Sequence, residues 1–378
     1  MRNGIIYIFG DICPRWGNSR EFDTGDKTKV FHDILKEING ADLVLANLEC
    51  PVTDSEVKLN KNSMNLKSCS EDLILLKSAG ISGVSLANNH ILDYDVAGFN
   101  DTLKNLDDAD IFYYGIQKYP NDVFIKEIND KKVGIIAFAE HEFNCAVDYG
   151  VGANCWSDID GILSIVKAKS KCDYLIVQYH GGIEEYKYPS PQLQKRCRSI
   201  AEAGADLILC QHSHCVGTRE VWGNTEILYG QGNSIFGYDP KNKMWNDGLL
   251  VKVELENGKV TYIPIESRKD GEYLKTREEA ELFLQVFFDR SSKILSSEFI
   301  KNEWNSFCKK QKHMYFPMLL CWDRYANKLN RILKGILIEK FINPKAKQTL
   351  MNLIRCDSHR EVIITILEDE YYKTMTHL

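Results

Sequence analysis

The chain has 378 residues, of which 44% are apolar and 26% are charged, so it is long enough to bury a sizeable core in one large domain or two. These proportions exclude a disordered chain, a collagen and a coiled coil. The formal net charge of −6 argues against a protein that binds nucleic acid, and no nucleic-acid partner is expected.

The first two thirds of the chain alternate short β-type runs with helical patterns. Strands are predicted, in chain order, at 5–9, 41–46, 83–86, 133–138, 174–178, 207–210, 226–229, 248–255 and 260–264. Helices are predicted between them at 28–38, 71–79, 98–106, 157–168 and 190–203. This alternation predicts an α/β domain whose sheets are covered by helices.

The pattern becomes continuously helical after residue 268. Thr276 to Glu279 has the sequence of a helix capping box, and so does Ser358 to Glu361. Pro317 and Pro344 are expected to interrupt the helices. The predicted organisation is therefore an α/β domain over 1–268 and a helical C-terminal extension over 269–378.

The sequence also suggests a location. No apolar run approaches the roughly 18 residues that span a bilayer, and the N-terminal MRNGIIYIFGD lacks the apolar core and cleavage site of a signal peptide. We therefore predict a cytoplasmic protein, whose twelve cysteines would be reduced. None of them forms a Cys-x-x-Cys pair, so no zinc ribbon is expected.

Polar residues of metal-binding types follow five of the predicted strands, where the loops of α/β folds bind ligands. They are Asp11, Asn47, Glu49, Asn88, Asn89, His90, His180, His212 and His214. Carboxylate, imidazole and amide oxygen together suit Zn, Mn or Fe, and a pair of such ions can activate a water. The predicted cofactor is one or two divalent transition-metal ions held by Asp11, Glu49, Asn89, His180, His212 and His214.

Each of these residues alone has a simpler explanation. A single Asp or Asn after a strand usually caps a turn or a helix, and a lone His is usually a hydrogen-bonded loop residue. His212-x-His214 is more informative, because the two rings would point to the same side of an extended segment. The metal hypothesis depends on the joint occurrence of the whole set.

Several short motifs occur in order between residues 4 and 237. They are Gly10-Asp11, Ala46 to Pro51 (ANLECP), Ser85 to His90 (SLANNH), Asp93-Tyr94, His180-x-Gly182-x-Glu184, Pro189, Ala203 to Asp206 (AGAD), Gln211 to His214 (QHSH) and Tyr229-x-x-Gly232-Asn233. In this combination the sequence resembles the CapA family of bacterial capsule-synthesis and poly-γ-glutamate-type proteins.

The resemblance implies a calcineurin-like metallophosphoesterase fold, a sandwich of two mixed sheets flanked by helices. It places Asp11 at the first metal ligand and Glu49 at the bridging carboxylate, and it matches Asn89-His90 to an Asn-His pair. His180, His212 and His214 match the remaining histidine ligands. Asp11 and His90 are predicted to be catalytic, with His90 as acid or charge stabiliser. The residues predicted to contact substrate are Asn47, Asn88, Glu184 and Asn233, and Glu184 could also orient His180.

The sequence departs from the family pattern at three positions. Cys13 stands where the fold has a histidine ligand, and is either a thiolate ligand or a buried inert thiol. Gly181 replaces an aromatic residue, and Gln211 replaces a glycine. A second stretch, with His141, Glu142 and Asn144, either lines the same rim or forms a solvated loop.

The C-terminal extension is basic. Residues 301–350 hold eleven Lys or Arg against three Asp or Glu. Two interpretations remain open: a helical cap with a solvated basic face, or a docking surface for an anionic partner such as a membrane surface, a polyanionic polymer or another protein.

Two hypotheses for function follow. In the first, the chain is a metal-dependent hydrolase that acts on an anionic polymer or phosphorylated substrate, with metal-activated water as nucleophile. The bond would be a phosphoester by analogy of fold, or an amide or another polymer-linked bond. In the second, the chain is a non-catalytic assembly factor that holds metal or a polymer end for a capsule synthase.

Overall fold

The structure is a computed structural model that describes residues 4–61, 63–117, 123–146, 151–268 and 273–375. Its strands are β1 (Ile5–Ile12), β2 (Leu43–Leu48), β3 (Gly83–Ser85), β4 (Phe112–Tyr114), β5 (Phe124–Ile128), β6 (Lys131–Ala139), β7 (Cys145–Ala146), β8 (Val151–Gly152), β9 (Tyr174–His180), β10 (Leu207–Gln211), β11 (Arg219–Trp222), β12 (Thr225–Leu228), β13 (Asn233–Ile235), β14 (Asp247–Glu254), β15 (Lys259–Ser267) and β16 (Leu274–Thr276).

Its helices are α1 (Ser19–Phe22), α2 (Lys27–Phe31), α3 (Ile34–Glu37), α4 (Ser70–Ala79), α5 (Asp95–Asp108), α6 (Asp158–Lys169), α7 (Pro191–Glu202), α8 (Ala280–Lys293), α9 (Ser297–Leu319), α10 (Arg324–Ile332), α11 (Ile336–Phe341), α12 (Pro344–Arg355) and α13 (Asp357–Met375).

Two mixed sheets form the α/β part. The first has the strand order β16-β15-β14-β1-β2-β3-β4, with β13 also paired to β1. Strands β1 to β4 run parallel, whereas β14 to β16 pair antiparallel. The second sheet has the order β11-β12-β10-β9-β6-β5, and its four central strands run parallel. The predicted sandwich of two mixed sheets flanked by helices is confirmed.

The core alternates along the strands as the pleat requires. Ile135 belongs to the hydrophobic cluster that also contains Ile8 and Leu45 of the first sheet, so this face of β6 shares a core with the first sheet. Its neighbour Ile136 lies in a second cluster, with Ile165 of α6 and Ile200 of α7. The second sheet is therefore covered on one side by the first sheet and on the other by helices.

The nine predicted strands are all present, and the predicted helices are too, with one break. The predicted helix over 28–38 is divided into α2 and α3 at His32, which has a positive φ of 38°. Strands β4, β5, β7, β8, β11, β13 and β16 were not predicted. Each has at most five residues, which is too short for a clear periodic pattern.

The two predicted capping boxes are wrong. Thr276 ends strand β16, and its backbone N–H and hydroxyl both donate to the carboxylate of Asp33. Helix α8 begins four residues later with Glu279 at its N-cap, where that side chain accepts no capping hydrogen bond. Ser358 lies inside α13, which begins at Asp357. Pairing of β16 with β15 places Thr276 in a strand, where it cannot cap a helix.

The structure divides into two compact units, residues 1–301 and 302–378. Helix α8 belongs to the first unit, because Arg290 donates to the carbonyls of Val216 and Gly217 and Ser291 accepts from the N–H of Arg219. The second unit is helical, as predicted for the C-terminal region, and Pro344 begins α12 while Pro317 lies inside α9. As a boundary between separately folding domains, residue 268 stays a prediction.

Cys145 and Cys155 are joined by a disulfide, and the other ten cysteines are free. The expectation that all the cysteines are reduced is therefore not met at this pair, which lies beside the antiparallel pairing of β7 with β8. Within the described ranges no helix combines the length and the apolar character needed to cross a membrane. The cytoplasmic location stays a prediction.

Candidate metal centre

The predicted ligands lie at the carboxyl ends of strands from both sheets. Asp11 is in register with Asn47 on β2 and with Asn233 on β13, and Glu49 directly follows β2. From the second sheet, His180 ends β9 in register with Gln211 at the end of β10. Parallel strands deliver their carboxyl ends to one edge, so residues far apart in sequence meet there.

Among the described residues, three groups of side chains have ligand atoms within 4.8 Å of one another; one is His141 with the disulfide pair Cys145 and Cys155, and the other two overlap at the predicted site. Of the two overlapping groups, one is Glu49, His180 and His212, and the other is Asp11, Glu49 and His214. Glu49 belongs to both, with Oε1 at 3.5 Å from Nε2 of His180 and 3.7 Å from Nε2 of His214. This sharing is the arrangement expected of a carboxylate that bridges two ions.

Asn89 lies with the group of Glu49, His180 and His212. Its side-chain oxygen Oδ1 is 2.9 Å from Nε2 of His180, and Nδ1 of His212 is 3.2 Å from the same nitrogen. The structure thus brings together all six predicted ligands.

The donor set fits a divalent cation. Glu49 is fully buried, yet neither of its carboxylate oxygens has a hydrogen-bond partner among the described residues. An ionised carboxylate in such a position is costly unless it is paired or coordinates a metal. Imidazole and carboxylate ligands with an amide oxygen beside them would satisfy zinc, manganese or iron.

The electrostatics of the site have one dominant cause, burial. Burial raises the pKa of Glu49 well above its usual range, with a further contribution from the Asp11 carboxylate, and it raises the pKa of Asp11 to about 6. It lowers the pKa of His180 well below the usual value, that of His212 to about 4 and that of His214 to about 3. The three imidazoles are therefore neutral near pH 7, the form that binds metal.

The sequence suggested an extended backbone at His212-x-His214, but the backbone of this segment is not extended. Both residues have a left-handed backbone, with φ of 86° and 49°. The backbone N–H of His212 donates to Oδ2 of Asp11 at 3.1 Å, which holds this conformation. A conformation of this kind costs about 1–3 kcal/mol per residue and is typical of functional sites.

Three buried asparagines hold the ligands in place. Asn47 donates to Oδ1 of Asp11 at 2.8 Å and lies 3.3 Å from Nδ1 of His180. Asn88 donates to the side-chain oxygen of Asn47 and to the carbonyl of Leu48. The Oδ1 of Asn233 is 2.9 Å from Nδ1 of His214, which leaves Nε2 of that ring directed to Glu49. These contacts support a positioning role, while the predicted contact with substrate stays a prediction.

His90 contacts the ion pair of Asp93 and Lys61, which sequence reasoning did not identify. Its Nδ1 is 2.7 Å from Oδ2 of Asp93, and Asp93 also pairs with the buried ammonium of Lys61. Nε2 is then the ring nitrogen left to face a substrate. The spacing His90-x-x-Asp93 was visible in the sequence, but Lys61 lies in an irregular segment without a pattern that would single it out.

Cys13 lies outside both groups of ligand atoms in the described structure. It is buried, and burial together with the neighbouring Cys50 thiol raises the pKa of Cys13 well above its usual range. Of the two predicted states, these surroundings favour the inert thiol.

The rim carries two carboxylates. Glu142 accepts from Nδ2 of Asn89 at 3.2 Å and has Oε1 at 3.4 Å from Nε2 of His212, while Asn144 accepts from the backbone N–H of Glu142. Glu184 is exposed to solvent at the rim, and partial desolvation of its carboxyl group, together with the charge of Glu142, raises its pKa.

Two of the predictions for the rim are decided by these contacts. The ring nitrogens of His180 face Asn47, Asn89 and His212, so the suggested orientation of His180 by Glu184 is wrong. His141 is exposed, as expected of a solvated loop.

Comparison with known proteins gives a family. Residues 5–238 match the family model described as bacterial capsule synthesis protein PGA_cap. The capsule biosynthesis protein CapA of Bacillus anthracis is 29% identical over 250 residues, which cover 61% of this chain and 58% of that protein. The PGA biosynthesis protein CapA of Bacillus subtilis (strain 168) is 28% identical over 250 residues, which cover 63% of this chain and 64% of that protein. The match thus spans about six tenths of each relative.

The solved structures that match the chain are more distant. A hypothetical protein from Thermus thermophilus has a TM-score of 0.45 and 15% sequence identity, covering 72% of this chain and 99% of that chain. TT1561 of the same organism has a TM-score of 0.38 and 11% identity, covering 68% of this chain and 97% of that chain.

Proposed function

We propose that this chain, which belongs to the bacterial capsule synthesis protein family, is a metal-dependent hydrolase that acts on an anionic polymer or a phosphorylated substrate of capsule biosynthesis. The observation that carries the proposal is Glu49, a buried carboxylate that has no hydrogen-bond partner among the described residues and is shared by two groups of metal-ligand atoms. A structural carboxylate would be expected to have hydrogen-bond partners of its own.

The roles of the side chains follow from their contacts. Asp11, Glu49, Asn89, His180, His212 and His214 would hold the metal. When bound, the metal would activate water and offset the negative charge that develops on the substrate. His90 would deliver a proton from Nε2 to the leaving group, because Nδ1 is occupied by Asp93. Asn47 and Asn233 would keep the ligands oriented without touching the reacting atoms.

A second function is favoured by one observation. The group of Asp11, Glu49 and His214 has three ligands, and Cys13 stands where the family fold supplies a fourth. A centre that lacks a ligand fits an assembly factor, which would use the metal to hold a polymer end for a synthase without cleaving it.

Both functions require a bound metal ion, so the metal content of the purified protein tests them together. Protein purified without chelator should carry at least about 0.5 equivalents of Zn, Mn or Fe, and His212→Ala combined with His214→Ala should remove it because two imidazoles are lost. Glu49→Gln should also lose metal. Glu184→Gln is the matched control, since Glu184 lies at the rim outside both ligand groups, and its metal content should equal that of the wild type. If the wild type has only a background metal content even after reconstitution with metal, the proposed metal centre is refuted.

Turnover separates the two functions. Metal-loaded wild type should hydrolyse at least one substrate in a panel of phosphomonoesters, phosphodiesters and polyglutamate amides. His90→Ala should lower turnover by about 10²–10⁴ with metal retained, the range of general acid catalysis. Full metal occupancy with no hydrolysis across the panel would favour the assembly factor. Loss of metal in His90→Ala would show that His90 is a ligand.

A further inference from the structure

Helix α10 in the second unit presents an apolar stripe to solvent. Tyr325, Leu329 and Ile332 follow each other at intervals of four and three residues, so they share one face of the helix. Their exposed fractions are 80%, 49% and 67%. A stripe of large apolar side chains left in water is unusual for a helix of a folded protein and marks an interaction surface.

Basic residues flank this stripe. Arg324, Lys328 and Arg331 are exposed, and the described structure shows no ion pair at any of them. Over residues 320–347 the chain has seven Lys or Arg and two Asp or Glu. We call the apolar stripe with its flanking cations the α10 face.

Residues on either side of α10 in the sequence take part in packing, although α10 itself has no buried residue. Ile338 and Ile342 are buried, and Trp322 contacts Phe341 edge to face. The three apolar side chains of the α10 face are not part of this packing and remain exposed.

We propose that the α10 face docks on an anionic membrane surface, with Tyr325, Leu329 and Ile332 inserted at the level of the head groups and the cations on the lipid phosphates. An amphipathic helix with Lys and Arg beside large apolar side chains is the type that lies in the membrane interface. Long basic side chains can lie along the apolar boundary while their charges stay in water.

The chemistry of the face argues against other occupants. A second copy of this chain, placed symmetrically, would bring the same three cations against themselves. A polyanion in water would neutralise the cations but would leave the apolar stripe exposed. An anionic bilayer would bury the apolar stripe and would also pair the flanking cations with lipid phosphates.

The test is sedimentation of the full chain with vesicles. Wild type should bind vesicles of phosphatidylglycerol and phosphatidylcholine but not phosphatidylcholine alone, and high salt should release it. Replacing all three cations, in Arg324→Gln/Lys328→Gln/Arg331→Gln, should weaken binding roughly 10²-fold. Leu329→Gln/Ile332→Gln should weaken it at least about tenfold, because the inserted apolar area is removed.

The matched control is Ile366→Gln/Leu367→Gln on α13. These side chains are as exposed as those of α10, at 56% and 63%, but stand in an acidic stretch, so binding should be unchanged. The proposal is overturned if wild type fails to bind the anionic vesicles, if the α10 variants bind like wild type, or if the α13 control weakens binding equally. Dimerisation in solution that the α10 variants abolish would assign the face to a second copy and would also overturn it. None of these results depends on the metal centre.

Discussion

Asp93 is fully buried and faces two basic groups at once. One carboxylate oxygen contacts His90 and also accepts from the backbone N–H of Leu66 at 2.6 Å, while the other oxygen contacts Lys61. The side chain of Lys61 is buried as well. Removing one charge would leave the other buried without a partner, which is more costly than losing the pair.

We therefore predict a non-additive result in a double-mutant cycle. Asp93→Asn should lower the free energy of unfolding by about 3–5 kcal/mol, since the Lys61 ammonium is left unpaired. Lys61→Met combined with Asp93→Asn should recover a large part of that loss. Urea denaturation of the wild type, both single variants and the double variant measures the cycle. Equal destabilisation of the single and double variants would contradict it.

The ligands could be predicted from the sequence because each lies near the carboxyl end of a strand, and a strand end is a local property of the sequence. The contacts that Asp93, Asn47 and Asn233 make with histidines could not be predicted from the sequence. They depend on which nitrogen of each imidazole ring faces the neighbouring side chain. His214 illustrates this, since Asn233 on β13 fixes its orientation across 19 residues. The left-handed backbone of the two histidines was likewise hidden, because it is held by Asp11 on another strand.

The disulfide between Cys145 and Cys155 acts at the scale of one loop. It links Cys145 on β7 to Cys155. Cys155 in turn pairs with Ala139, the last residue of β6, in an isolated β-bridge. Asn144, next to Cys145, accepts from the backbone N–H of Glu142. The crosslink thus limits the movement of the loop that carries a rim carboxylate.

Reduction of the disulfide should loosen the loop that carries Glu142. The disulfide closes a loop of only ten residues, so we expect its reduction to lower the free energy of unfolding by up to about 2–3 kcal/mol. Thermal denaturation with and without dithiothreitol should show a lower Tm for the reduced protein, and Cys145→Ser should reproduce it. Cys308→Ser is the control, because that thiol is free and exposed. An unchanged Tm on reduction would refute a stabilising role.

Several of the strands missed by sequence analysis were missed for the same physical reason. Strands β11 and β5 lie at the edges of the second sheet, and β16 lies at the edge of the first. Edge strands are short and partly solvated, so their apolar pattern is weak compared with that of buried strands such as β9. Central strands are recognised from composition, whereas edge strands are defined by their neighbours.

For the whole molecule, the end of the first unit at Lys301 leads to a prediction for truncation. A chain of residues 1–301 should keep the metal content of the full chain. A chain of residues 1–268 lacks β16 and α8, and loses Phe287, which is buried with its ring centre 5.3 Å from that of Tyr262. Loss of such a contact costs about 3–5 kcal/mol.

Circular dichroism melting and gel filtration compare the two truncated chains. The shorter one should melt earlier or aggregate, because the surface under α8 is exposed. If both chains melt at the same temperature, the boundary at 268 predicted from the sequence is the better one.

The metal centre also determines when during synthesis the molecule can be completed. Asp11 and His212 are 201 residues apart, yet they meet through a direct hydrogen bond. While the chain emerges from the ribosome, Asp11 and Glu49 are synthesised first. They cannot form the site with His212 and His214 until the chain up to His214 has been synthesised. Contacts of such long range form slowly, so a metal ion would lock a fold that is nearly finished. It could not serve as the nucleus around which folding starts.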